Sequence, residues 1–196
     1  MTRRTLSACL GLAALAASPA TAAPERYEID PEHTVVSFLV GHVGYASVLG
    51  VFLEFEGGFT YDRETRELSD VEITVDTASV NTFHEARDEH VRAGDFLDVE
   101  AHPAMTFTAE GGEPESETRG AVPGELTMLG VTRPLTLDVT LNKAEAYPFG
   151  HGRFALGLSL RGTLDRSDWG MTYAVDNGLV ADEVELVIET EALLVE

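Results

Sequence analysis

The chain has 196 residues, one cysteine and a formal net charge of -21 at pH 7, with 34 Asp and Glu against 13 Lys and Arg. This length suits one domain with one core. Such an acidic surface argues against nucleic acid phosphates and anionic lipid headgroups as partners. Cys9 lies in the leader described next, which leaves the mature chain without disulfides, thiolate nucleophiles or cysteine metal ligands.

Residues 1–22 form a predicted signal peptide. Arg3 and Arg4 supply positive charge, residues 6–17 are an apolar run, and small residues suited to cleavage follow. The run is shorter than the roughly 20 residues that a membrane span needs. We therefore expect residues 23–196 to form a soluble periplasmic or secreted domain with no stable membrane insertion. The export route stays open, since paired arginines occur in ordinary leaders and in twin-arginine leaders.

From Tyr27 onward, apolar and polar residues alternate, which is the pattern of half-buried β-strands. Short segments rich in Gly, Pro, Asp and Asn separate the strands, and connections this short favour antiparallel neighbours. The absence of repeated βα units from the sequence argues against dinucleotide-binding and TIM-barrel architectures. The alternation predicts about eight strands, at 34–40, 51–61, 71–76, 105–109, 119–128, 135–142, 153–161 and 183–189.

An all-β chain of this kind can form a two-sheet sandwich or a closed barrel. A strand that keeps one apolar face over nine or more residues, as residues 51–61 do, favours a barrel, which has no open edge. About eight strands enclose an interior just wide enough for side chains or one small ligand. We therefore predict an all-β, eight-stranded, antiparallel, lipocalin-like barrel.

A short polar helix, at about residues 83–93, interrupts the strands. Thr82 and Glu85 have the spacing of a capping box, and Gly94 suits a C-terminal stop. The helix is too polar to be buried on all sides, so we expect it to lie across one end of the barrel and cap it. Its expected contacts are Phe83, Ala86 and Val91.

The same helix carries a dense group of charged residues and histidines. His84, Asp88 and His90 could form a metal or acid–base site, which leaves a metal-dependent or hydrolytic enzyme as an alternative function. Their spacing does not match H-E-x-x-H, and the sequence has no G-x-S-x-G motif. We therefore predict no catalytic residue, no metal and no enzymatic activity. Arg87 is expected to fasten the helix to the barrel rim through Asp95, Asp98 or Asp168.

Five groups of residues match motifs of a known family. They are Tyr27-x-Ile29-Asp30 with His33-Thr34-x-Val36-x-Phe38-x-Val40-x-His42; Gly50-x-Phe52-x-x-Phe55-x-Gly57; Ser79-Val80-x-Thr82; Arg87-Asp88-x-His90 with His102-Pro103-x-x-x-Phe107; and Leu126-Thr127-x-x-Gly130-Val131-Thr132-Arg133-Pro134. With these motifs the chain resembles the YceI-like family of exported, lipocalin-like proteins associated with polyisoprenoid binding. Two departures are Trp169, where the family commonly has phenylalanine, and Pro123, where an uninterrupted strand is expected.

The resemblance implies a carrier that holds an elongated apolar ligand in the barrel without covalent chemistry. The implied ligand is a polyisoprenoid or an isoprenoid quinone, with a fatty acid or amide as a further option, and the family also suggests a homodimer. Burial is worth roughly 0.8 kcal/mol per CH₂, so a few isoprene units can outweigh the cost of immobilising the chain. A stress-related interaction module with a filled core remains a second alternative.

The predicted site has an apolar tunnel and a polar rim. The tunnel residues are Phe38, Val40, Leu53, Phe55, Val71, Ile73, Phe96, Leu97, Met105, Phe107, Leu126, Leu137, Leu156, Leu158, Trp169, Met171 and Leu186. The rim residues are His42, Arg87, Asp88, His90 and Asp168.

Overall fold

The computed structural model describes residues 23–195, so the predicted leader at 1–22 lies outside the described residues. Within that range, no helix combines the length and apolar composition that crossing a membrane requires. One α-helix, α1, spans Glu85–Arg92. The strands are β1 Glu25–Ile29, β2 Val35–His42, β3 Ala46–Phe52, β4 Phe55–Tyr61, β5 Leu68–Asp76, β6 Val80–Asn81, β7 Ala104–Ala109, β8 Glu113–Pro114, β9 Arg119–Met128, β10 Val131–Ala146, β11 Phe154–Asp165 and β12 Val180–Leu194.

These strands form an eight-stranded, closed, antiparallel barrel, which confirms the predicted fold. The first barrel strand consists of β1 and β2, which a 3₁₀ turn at Pro31–His33 separates, and the second consists of β3 and β4. The other six are β5, β7, β9, β10, β11 and β12, each paired with the next along the chain. The barrel closes because β12 also pairs with β1 and β2. β6 and β8 are short additions to β3 and β9.

The prediction of one continuous strand at 51–61 was wrong. Leu53 and Glu54 leave the ladder between β3 and β4, and the Leu53 N–H donates to the backbone oxygen and Oγ of Ser79. The long apolar face that favoured a barrel in the sequence is therefore interrupted. Closure depends instead on the 15 residues of β12, which are long enough to pair with β1 and β2 in succession.

Pro123 lies inside β9 without breaking it. On one side it pairs with Thr136 of β10. On the other side, β7 pairs with residues 125–127 of β9, and β8 pairs with residues 120–121. Pro123 therefore occupies a gap between two neighbours, where the strand does not need the N–H that proline lacks.

The capping box predicted at Thr82 and Glu85 was wrong. The helix begins at Glu85 after His84, whose side chain makes no capping hydrogen bond. The Thr82 hydroxyl donates to Asp88 Oδ1 instead of accepting from the Glu85 N–H, and the Thr82 N–H donates to the same Asp88 oxygen instead of to the Glu85 carboxylate. The helix ends at Arg92, with Ala93 as its C-cap, so the predicted stop at Gly94 was close to the observed end.

The helix lies at one end of the barrel, called here the α1 end. Arg92 fixes it there by donating from Nε to Ala78 O, at 2.8 Å, and from Nη2 to Val80 O, at 2.5 Å. Of the three expected contacts, Val91 packs against the core, whereas Phe83 is 69% exposed and Ala86 is also exposed. The polar helix therefore touches the barrel along a narrow apolar edge.

Candidate ligand-binding cavity

The barrel encloses a cavity of about 370 Å³. Most of its wall is made of alternate strand residues, as alternation in a barrel predicts. The lining of β12 extends from Val180 to Thr190, and these ten residue steps correspond to roughly 25 Å along the axis at a usual strand tilt. Two strands show the pattern most clearly, with Leu135, Leu137, Val139 and Leu141 on β10 and Val184, Leu186, Ile188 and Thr190 on β12.

The α1 end of the cavity is covered by the helix and the turn after it. Val91 contributes from the helix, and Phe96 and Leu97 contribute from the turn. The Leu97 N–H donates to Val91 O at 3.0 Å, and the Leu97 side chain is 5% exposed. This arrangement confirms the prediction that the helix caps the barrel.

The opposite end of the cavity is polar, and we call it the mouth. It is framed by the turn at residues 62–67 and by residues 110–118, which Arg66 joins by donating from Nη1 to Ser116 O at 3.3 Å. Arg66, Glu117 and Arg119 are exposed and also line the cavity. The apolar interior therefore reaches the surface among charged side chains.

Fourteen of the predicted tunnel residues line this cavity. They are Phe38, Val40, Val71, Ile73, Phe96, Leu97, Met105, Phe107, Leu126, Leu137, Leu156, Leu158, Met171 and Leu186. The structure brings together residues from most of the strands because their inward faces follow the same alternation. Their role in ligand binding stays a prediction.

Three predicted tunnel residues lie elsewhere. Leu53 is 63% exposed, because it sits in the break between β3 and β4. Phe55 packs against the core from outside the cavity. Trp169 is buried, but its Nε1–H donates to Leu126 O at 2.9 Å, which holds the indole in the core beside the cavity. Trp169 therefore does not narrow the cavity.

The five predicted rim residues all lie at the α1 end, but none lines the cavity. His42 ends β2 in an exposed position, and Asp168 is exposed in the 3₁₀ turn Arg166–Trp169. His90 pairs with Asp95 at 3.0 Å, while its ring packs edge-on against Phe96 and Tyr173.

Arg87 does not make the predicted carboxylate pair. It donates from Nε to Thr82 Oγ1 at 2.8 Å and from Nη2 to Thr82 O at 2.6 Å. Because these acceptors lie in the segment just before the helix, Arg87 braces the start of α1 instead of tying it to the rim.

Asp88 is buried rather than exposed on the helix surface. Its Oδ1 accepts from the N–H and the hydroxyl of Thr82, both at 2.6 Å. Burial acts to raise the pKa of Asp88, but the Thr82 hydrogen bonds and the guanidinium groups of Arg92 and Arg87 hold that pKa below its usual range. Asp88 is therefore an ionised structural anchor.

The three residues of the alternative metal or acid–base site do not come together on the helix. Asp88 is engaged by Thr82 and His90 by Asp95, and within residues 23–195 His84, Asp88 and His90 do not converge as a group of potential ligands. Asp30, His33 and Glu191 do converge, but His33 is already paired with Asp30 at 2.8 Å. The hydrogen bond that the Asp30 carboxylate accepts from His33 is the main factor that raises the pKa of His33.

Arg166 is a cavity residue that sequence reasoning missed. Its side chain is 2% exposed and lines the α1 end of the cavity. The missed apolar residues, in contrast, were available from the alternation: on β10, Leu135, Val139 and Leu141 share a phase with Leu137. For Arg166 no local signal existed, since arginine at the end of a strand is ordinarily solvent-exposed.

A closed meander barrel with an apolar interior and one helical cap defines a lipocalin-like binding protein. The model of the YceI-like domain matches residues 27–192, and the chain belongs to this family. It is 35% identical over 184 residues to Protein YceI of Salmonella arizonae, with 93% of this chain and 94% of the relative covered.

Two solved structures share the fold. The YceI protein of Campylobacter jejuni has a TM-score of 0.73 and 29% identity, with 80% of this chain and 90% of the relative covered. A polyisoprenoid-binding domain from Saccharophagus degradans has a TM-score of 0.60 and 13% identity, with 86% of this chain and 98% of the relative covered. At that identity the second match concerns the fold alone.

Proposed function

We propose that this protein is an exported carrier that holds an elongated isoprenoid chain, or an isoprenoid quinone, inside the barrel. The single observation that carries the proposal is the continuous apolar cavity. A barrel with a filled core, as an interaction module would have, needs no such space. The ligand class is taken from the name of the structural relative from Saccharophagus degradans, a polyisoprenoid-binding domain with the same fold.

Hydrophobic burial is sufficient to drive this binding. Each buried CH₂ contributes roughly 0.8 kcal/mol, and the lining offers leucine, valine, isoleucine and phenylalanine along its length. The ligand needs no covalent bond, metal or cofactor, and selection would be by the length and width of the chain. Export through the leader at residues 1–22 would place the carrier in the periplasm or outside the cell.

The test is the identity of the molecule that purifies with the protein. Native mass spectrometry of the mature chain should show a mass increment, and solvent extraction should release a prenyl-chain compound. Adding such a compound to stripped protein should raise Tm. A preparation that is reproducibly empty, and that no prenyl chain stabilises, would contradict the proposal.

A further inference from the structure

A buried positive charge lies at the α1 end of the apolar cavity. Arg166 begins the 3₁₀ turn after β11, and only 2% of its surface is exposed. Around it the cavity wall is formed by apolar residues such as Leu164, Met171 and Val180. The ring centroid of Phe96 lies 5.7 Å from the guanidinium carbon. A cation in such surroundings requires an explanation.

The hydrogen bonds of Arg166 hold it in place without neutralising it. It donates to four backbone carbonyl oxygens, those of Ala181, Met171, Tyr173 and Val180, at 2.7 to 3.1 Å. A guanidinium has five N–H groups, so one N–H on Nη1 remains.

No carboxylate compensates this charge directly. None of the ion pairs within residues 23–195 involves Arg166. Asp182 is the acidic group that acts on it electrostatically, but both Asp182 oxygens accept hydrogen bonds from Ser167. The direct contacts of Arg166 are therefore all with backbone carbonyl dipoles, and Asp182 acts on its charge only from a distance.

An anion inside the cavity would complete this arrangement. Interactions between charges strengthen in apolar surroundings, and a buried charge is costly until it is paired. The mouth also has cations, Arg66 and Arg119, but they are exposed, so water screens them. Of the two ends, the α1 end is therefore the better site for a negatively charged group.

We propose that the cavity selects chain-like ligands with one anionic oxygen head group, a carboxylate or a phosphate. The head group binds Arg166 through the remaining N–H, and the chain extends toward the mouth. This inference rests on the proposed function, because it names the chemical class of the ligand and its orientation.

Four C20 isoprenoids with the same chain test the selectivity. They are geranylgeranoic acid, geranylgeranyl phosphate, geranylgeraniol and the corresponding hydrocarbon, each measured by displacement of a fluorescent apolar probe. A hydrogen bond between charged groups is strong in apolar surroundings, so one or both anions should bind at least about tenfold more tightly than the hydrocarbon. The anion that binds more tightly then identifies carboxylate or phosphate as the preferred head group.

Two variants locate the source of this preference. In Arg166→Met the ratio of anion to hydrocarbon affinity should fall to one or below, because an unpaired anion is costly to bury. In Arg63→Met, which removes an exposed cation of the mouth turn that does not line the cavity, the ratio should stay unchanged. The ratio of anion to hydrocarbon affinity, measured in the same variant, separates two effects of the substitution. Loosening of the loop around Arg166 would weaken binding of all four ligands, whereas loss of the charge would weaken binding of the anions only.

Trp169, the single tryptophan of the chain, gives a readout that needs no variant. It belongs to the same 3₁₀ turn as Arg166, so it reports on the α1 end. Geranylgeranoic acid with bromine beside the carboxylate should quench Trp169 fluorescence strongly, and the acid with bromine at the far end of the chain should not. The opposite pattern would overturn the orientation even if Arg166→Met fails to fold.

The outcomes separate this inference from the proposed function. If the hydrocarbon binds as tightly as both anions to the unmodified protein, the anionic head group is refuted and carriage stands. If Arg63→Met removes the preference, Arg166 is not its source. If none of the four compounds binds, the carrier function itself fails.

Discussion

At the scale of single residues, the Thr82–Asp88 pair decides how α1 is attached. Asp88 is the one buried residue of the helix, and its Oδ1 receives both Thr82 donors. Arg87 binds the same threonine from the other side. The charged residues that looked most like an active site in the sequence thus form a structural joint.

Asp88→Asn should weaken this joint by about 1–2 kcal/mol at pH 7, because hydrogen bonds to a charged acceptor are stronger than those to a neutral one. The pKa of Asp88 is lowered in the fold, so its contribution is present above the unfolded pKa of about 3.9 and is lost as pH falls through the lower folded pKa. Urea unfolding at several pH values should give the difference in unfolding free energy between the unmodified protein and Asp88→Asn. This difference should be constant from about pH 5 to 7 and should shrink below about pH 4.

Asp95→Asn is the matched control for that series. Asp95 is 52% exposed and contacts only His90 among the ion pairs, so the unfolding free energy should change by less than about 0.5 kcal/mol. Equal effects of the two substitutions would show that the Asp88 network is not a special anchor.

Local sequence rules could predict that these residues group together, but not which partners they choose. Capping-box spacing was present at Thr82 and Glu85, yet the threonine donates to Asp88, six residues away. That choice depends on the path of residues 81–84, where Phe83 adopts a positive φ of 64°. Such a path is set by the contacts of β6 with β3, which local spacing does not describe.

At the scale of elements, the β2–β3 hairpin is adapted to a bulky cavity residue. Gly50 pairs with Phe38, and a Cβ at Gly50 would lie 2.2 Å from Cζ of that ring. The Phe38 ring also packs against Phe52, with centroids 5.7 Å apart. The absence of a side chain at Gly50 therefore creates the space in which the Phe38 ring lies.

Gly50→Ala should force the Phe38 ring to move, which should cost about 1–3 kcal/mol and lower affinity for the apolar probe. Urea unfolding and probe titration measure the two effects. Adding Phe38→Leu should recover part of the loss, because the smaller side chain relieves the contact. Gly94→Ala is the control, since its Cβ would approach nothing closer than 4.0 Å. If Gly50→Ala changes neither the unfolding free energy nor the affinity for the probe, the Phe38 ring has other space available.

At the scale of the whole molecule, the alternation of apolar and polar residues predicted the fold well. Each of the eight barrel strands follows this same local rule. Each of the predicted strands corresponds to part of one barrel position. The ends of the strands were harder to predict. β10 and β12 continue for 16 and 15 residues, through polar positions that only pairing with the neighbouring strands stabilises. The cavity follows from closure, which no single segment of sequence determines.

Filling the middle of the barrel should abolish carriage without removing the fold. Leu137 is 6% exposed and lines the cavity, whereas the adjacent Thr136 is exposed on the outer face. Leu137→Trp should therefore occupy ligand space and raise the Kd for a prenyl compound at least about tenfold, while Thr136→Trp should leave it unchanged.

Ligand-dependent stability gives the measurement for this pair of variants. A ligand at 100 times its Kd stabilises the native state by about 2.7 kcal/mol, so the unmodified protein and Thr136→Trp should both show a clear rise in Tm on ligand addition. Leu137→Trp should melt cooperatively but show little rise, because its cavity is already filled. If Leu137→Trp keeps the full rise in Tm, the ligand binds outside the barrel, and the position of the site proposed above is wrong.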